Sequence, residues 1–270
     1  MSSVTWIASY PMRENPWIRF MLASYLLDAQ ITSFDILNNK LPEQALLLSS
    51  GMMVPLHGAG QTIVETHFLP EAEVMRRYGK LTGKVVYVAR DPRTVVLNSV
   101  RDLHVSEAKR TEFVKDFIAH GGPGLFIENG SGTWLQNVQQ WTYPAVVGQY
   151  FPEVEVLTVR YEDMVDDAVA ILRRIVEFLD LADGGEGRVE RAVENGSIER
   201  FNTIRQAERT RGASSLRATL VARPIGQKED EPSWSELGAE ADAAYRQWLQ
   251  EDEEFRLCVQ HLGYEACSAE

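Results

Sequence analysis

Basic residues are in short supply in this chain: 27 Lys and Arg stand against 39 Asp and Glu, a formal net charge of −12. Nucleic acids and anionic membranes are held by clustered Lys and Arg, so the balance argues against both partner classes. Cysteine is scarcer still, with Cys258 and Cys267 both near the C-terminus. That is neither a disulfide framework nor a four-ligand zinc set, and a reducing, cytoplasmic setting is expected. Nor is any apolar run close to the roughly 18 residues that a membrane span needs. Met1-Ser2-Ser3 carries no basic segment, and Arg19 and Asp28 interrupt the early apolar stretch, so no signal peptide is expected. His57, His104, His120 and His261 show no metal-ligand spacing, and no metal site is predicted.

What remains is ordinary for a globular protein: 270 residues, 44% hydrophobic and 24% charged. Such a chain buries a large core, and a single domain over 1–270 is expected. Val4–Ala8 and Lys84–Ala89 read as buried strands, Thr62–Thr66 as a short strand and Val154–Val159 as a third strong one. Helices are predicted over 15–30, near 41–50, over 71–78, from Pro92 to about Arg101, and over 106–120 with Ser106 as N-cap. A glycine-rich loop fills 121–132, and a helix over 133–150 is kinked by Pro144. Asp163 is read as the cap of a helix reaching about Leu179. Strand–helix alternation of this kind gives an α/β fold in three layers, a mostly parallel central sheet with helices on both faces. The polar segment 205–235 has no period and reads as a mobile loop or lid.

Ligands in such folds bind at the carboxyl ends of the strands, where loops 8–17, 66–70 and 89–92 gather. These loops carry three motifs in order: W-I-A-S-Y-P-x₅-W-x-R at 6–19, E-T-H-F-L-P at 65–70, and V-A-R-D-P-R-T-V-V-L-N-S at 88–99, followed by V-R-Y-E-D-M at 159–164. Together they resemble the PAPS-dependent sulfotransferase family, a P-loop-like fold, and within it the small bacterial members that modify glycopeptide antibiotics.

The resemblance implies a 5′-phosphosulfate loop of the pattern Y-P-K-[SA]-G-[NT]-T-W. Tyr10, Pro11, Asn15 and Trp17 match it, while Met12 replaces the lysine, Arg13 the small residue, Glu14 the glycine and Pro16 the hydroxyl residue. Methionine brings no charge, glutamate repels a phosphosulfate and Pro16 has no N–H, while the Arg13 guanidinium suits a phosphate. The family's 3′-phosphate arginine falls on Arg90 and its serine position on Asn98. Ala222-Arg223-Pro224 resembles the basic loop that closes over that phosphate. His67 corresponds to the family's general base, a role suited to a side chain that titrates near neutrality. The implied cofactor is PAPS, or PAP after transfer, and the implied partners are a small-molecule natural product and a second copy in a homodimer.

Three functions follow from these residues. The first is sulfuryl transfer from PAPS to a phenolic hydroxyl in bacterial secondary metabolism, with Arg13, Asn15, Trp17, Arg90, Asn98 and Arg223 on the donor. The second is an enzyme of the same fold that has abandoned PAPS and uses His67 with Glu14 for acid–base chemistry such as cyclisation, elimination or dehydration. The third is a non-catalytic binding protein. Trp17 reads equally well as a core residue of its helix.

Overall fold

In the computed structural model, four strands form one parallel sheet in the order β2-β1-β3-β4: β1 is Ser3–Ala8, β2 Gln61–Thr66, β3 Thr82–Ala89 and β4 Glu155–Arg160. The structure describes residues 3–11, 15–56, 60–181, 185–210 and 234–264. Strands buried on both faces read as continuous apolar runs, as in Val85–Ala89. Their side chains alternate between two cores. Trp6, Val64, Val85 and Tyr87 pack with Val96, Trp134, Val138, Trp141 and Phe255 on one face. Ile7, Ile63, Val86, Val88 and Val159 pack with Ile18, Met21, Leu22, Leu172 and Ile175 on the other. The three-layer α/β architecture is therefore the observed one.

β1 lies between β2 and β3, so the connection direction reverses at β1 and opens a crevice beside its carboxyl end. All four strands point the same way. The residues that follow them, Ser9, His67, Arg90 and Tyr161, consequently line one edge.

Several elements differ from the sequence expectation. The helix expected near 41–50 is Gln44–Ser49, and a second helix, Phe34–Lys40, precedes it. Pro42 breaks them because it lacks an N–H and disfavours helix at the preceding residue. Its carbonyl instead accepts from Glu65 N at 2.9 Å, tying the break to β2. Ser106 makes no side-chain cap bond; a 3₁₀ turn, Glu107–Lys109, precedes the helix Arg110–His120. Asp163 does not cap: it lies inside helix Tyr161–Asp166 and pairs with Arg160, while Asp167 accepts from Ala170 N at 2.9 Å and caps Ala168–Phe178.

The glycine-rich loop also has structure, a helical turn Gly124–Phe126 running into a π-helical turn Ile127–Ser131. Helix Trp134–Thr142 and helix Pro144–Tyr150 do meet at the expected break. Helix Ile198–Thr210 covers the start of the segment read as a lid, and residues 211–233 of it lie outside the described residues. No helix among the described residues is long and apolar enough to cross a membrane.

Candidate active site

His67 follows β2 directly, and its backbone is clamped from above. Trp141 Nε1 donates to the Phe68 carbonyl at 3.1 Å, and Asn137 Nδ2 donates to the Ser131 carbonyl at 3.1 Å and reaches the His67 carbonyl at 3.4 Å. Leu69 N donates to the Gly130 carbonyl at 2.9 Å, seating the 121–132 segment on this edge. The same segment closes over Tyr10. A Cβ on Gly122, whose φ is +156°, would lie 2.2 Å from the tyrosine oxygen, so only glycine permits the approach. Burial pushes the Tyr10 phenol well above its ordinary pKa and keeps it neutral.

The His67 ring is held by β1. Its Nδ1 lies 3.1 Å from the Ser9 carbonyl and 3.2 Å from Ser9 Oγ. Its Nε2 faces Glu65 Oε1 at 3.9 Å. Glu65 is 2% exposed, and its other oxygen forms an ion pair with the equally buried Arg19. Arg19 also donates to the Leu41 carbonyl through Nε at 3.1 Å and to Asn38 Oδ1 at 2.9 Å. Neither Glu65 nor Ser9 was singled out from the sequence as a site residue. The available signal was strand alternation: residues 65 and 67 are two apart and share a face.

At the other end of the edge, Arg90 is buried beneath Tyr161, with its guanidinium carbon 4.0 Å from the ring centre. Glu162 Oε1 lies 3.6 Å from Arg90 Nε and 3.3 Å from Asp91 N. Its Oε2 accepts from the Tyr264 hydroxyl at 2.7 Å, and burial together with this carboxylate pushes the Tyr264 phenol pKa up. Asp91 caps helix Pro92–Asp102, accepting from Arg93 N at 2.8 Å, and Asn98 is nearly buried two turns along that helix.

Trp17 opens the buried side of helix Asn15–Leu27. Its Nε1 donates to the Gly196 carbonyl at 2.8 Å, and its ring meets Tyr161 edge-on at 5.9 Å. The edge thus brings His67 together with Ser9 and Glu65, and Arg90 together with Tyr161 and, through it, Trp17. Asn15 is placed by its backbone alone, at the helix start. Met12, Arg13, Glu14 and Arg223 lie outside the described residues. Among the described residues no group of three or more His, Cys, Asp or Glu forms a metal site.

A parallel sheet covered on both faces, with a crevice at the carboxyl ends of its strands, is an α/β arrangement that binds ligands at that edge. Solved structures share the fold. A mouse sulfotransferase, SULT7A1, complexed with PAP superposes with a TM-score of 0.56 at 14% identity, over 96% of this chain and 89% of that one. Retinol dehydratase in complex with retinol and PAP gives 0.53 at 18% identity, over 93% and 82%.

Residues 48–221 match the sulfotransferase domain family, and the chain belongs to it. That span contains His67, Arg90 and Asn98 and leaves out β1 with its loop. A rat relative, sulfotransferase 1 family member D1, is 24% identical over 184 residues. The match covers 64% of this chain and 58% of the relative's length.

Proposed function

We propose that the protein transfers a sulfuryl group to a hydroxyl of a small molecule, with His67 as the general base. The observation that carries this reading is the Nδ1 contact with the Ser9 carbonyl at 3.1 Å. A carbonyl only accepts, so this bond places a proton on Nδ1 and leaves the lone pair on Nε2. Nε2 then takes up the proton of the acceptor hydroxyl. A phenol, with a pKa near 10, needs such help at neutral pH. The acceptor class is a phenolic natural product of bacterial secondary metabolism.

The Arg90 side fits a nucleotide phosphate in chemistry and place: a buried guanidinium on the carboxyl edge, beside the start of a helix. When bound there, PAPS supplies the sulfuryl group. Arg90 and Asn98 would hold its 3′-phosphate with Arg223 closing over it, and Arg13, Asn15 and Trp17 would hold its 5′ side. Glu162 competes for the same guanidinium and has to yield to the phosphate.

Calorimetric titration with PAP, repeated on Arg90→Ala, tests the donor assignment. Micromolar binding that Arg90→Ala removes supports it, and absence of binding at millimolar PAP overturns it.

One observation favours a second reading. Glu65 Oε1 lies 3.9 Å from His67 Nε2, which sets two proton carriers side by side without any sulfuryl donor. Glu65 takes the place that the sequence reading gave to Glu14. The chemistry would be elimination or dehydration, and a fold neighbour is itself named retinol dehydratase.

A further inference from the structure

We propose that Glu65 is the charge partner and positioning residue of His67, anchored by Arg19, so that the base is a carboxylate–imidazole pair and not a lone histidine.

Three observations converge on this pairing. The first is alternation along β2, which sends Glu65 to the face covered by helix Asn15–Leu27, the helix that carries Arg19. There the carboxylate is buried, and the guanidinium holds Oε2. The Leu41 carbonyl and Asn38 in turn hold Arg19, so the carboxylate cannot swing out to solvent.

The second is the other carboxylate oxygen. Oε1 has no hydrogen-bond partner among the described residues. A buried acceptor left in that state is costly unless a donor arrives during function. His67 Nε2 lies 3.9 Å from it.

The third is the tautomer that the Ser9 carbonyl imposes. With the proton on Nδ1, two lone pairs face one another across the gap. A substrate hydroxyl has one proton to give, and it gives it to Nε2. Once that proton has passed, the imidazolium lies 3.9 Å from the Glu65 carboxylate.

The surrounding charges favour this outcome. Facing the ring are Glu65 from β2, Arg19 behind it, and Glu43 beyond, at 3.9 Å from Arg19 Nη1. Among the described residues, two carboxylates stand against one guanidinium there. β1 and helix Trp134–Thr142 present Ser9 and Asn137, which are neutral.

The proposal builds on the reading of His67 as the base, yet its test needs no donor or acceptor. Nitrogen-15 NMR of the histidine rings is followed against pH in the wild-type protein, with His67 assigned by its loss in His67→Asn. The neutral wild-type ring is expected to carry its proton on Nδ1. In Glu65→Gln, which keeps an oxygen for Arg19, the proton affinity of His67 is expected to fall about tenfold. Glu65→Asp should recover part of that fall.

A neutral wild-type ring protonated on Nε2, or an unchanged midpoint in Glu65→Gln, overturns the pairing. If Glu65→Gln does not fold, the wild-type tautomer and Glu65→Asp decide. PAP titration reads the donor side separately, so the pairing can fail while donor binding stands, and the reverse.

Discussion

At the β1–β2 end of the carboxyl edge a histidine faces a carboxylate across 3.9 Å, whereas at the β3–β4 end an arginine lies between a tyrosine ring and another carboxylate. Both ends use an acid, but its freedom differs. Glu65 is 2% exposed and locked by a buried guanidinium, while Glu162 is 36% exposed and held by a phenol hydroxyl and one backbone amide. Breaking the first pair strands a buried charge, at a cost of about 3–5 kcal/mol. Moving the second releases a carboxylate to water, which is far cheaper. Burial therefore makes one acid a permanent part of the site and leaves the other displaceable by an incoming anion. On the proposed reading, one end changes protonation and the other exchanges one anion for another.

The largest effect is expected from removing the base. His67→Gln should lower the turnover of sulfuryl transfer by about 10²–10⁴-fold while leaving PAP affinity within a few-fold, as steady-state rates and calorimetry would show. Equal losses in both would mean that the two ends do not act separately. Next comes Arg90→Ala, which should weaken PAP binding by about 2 kcal/mol or more in the same calorimetric titration, with His67 titrating unchanged.

Restoring charge to the phosphate loop should act in the opposite direction. Met12→Lys with Asn98→Ser is expected to tighten PAP by roughly tenfold, or about 1.4 kcal/mol. No gain would mean that the loop's shape, and not its missing charge, limits the donor.

The smallest effect concerns a histidine away from the edge. His261 lies against the Tyr143 ring with Nε2 3.1 Å from Thr142 Oγ1, and burial lowers its pKa. With the folded pKa below the unfolded value near 6.5, the unfolded chain binds the proton more readily. Stability attributable to this group is thus intact above that value and declines as pH falls through it toward the lowered one. His261→Gln should flatten the fall in Tm between about pH 6.5 and 5.

Much of the fold was legible because its signals are local. The apolar runs of β1 and β3 mark strands buried on two faces, and Pro144 marks the helix break where it occurs. Helix Phe34–Lys40 was missed because it is short and mixed in composition, even though Ser33 caps it through Ile36 N at 3.3 Å. The turn at Ile127–Ser131 was hidden by Gly130, whose non-helical φ of +88° kinks it.

His67 and Arg90 were singled out by the motifs that carry the resemblance, T-H-F-L-P and R-D-P, and each directly follows a strand. Glu65 was written in the same motif and passed over. A carboxylate in a strand is read as exposed until its partner is known, and Arg19 is far from it in the chain.

Sequence alone determined the strands, their parallel direction and the residues that follow them. Those depend on patterns a few residues long and on a connection rule that all such sheets obey. The strand order, the docking of helix Asn15–Leu27 and the fold-back of Tyr264 brought Arg19 to Glu65, Tyr161 to Arg90, and Glu162 between Arg90 and Tyr264. Only tertiary structure decided these pairings. Register and helix packing bring distant side chains together, and burial then sets whether each charge stays fixed or can be displaced.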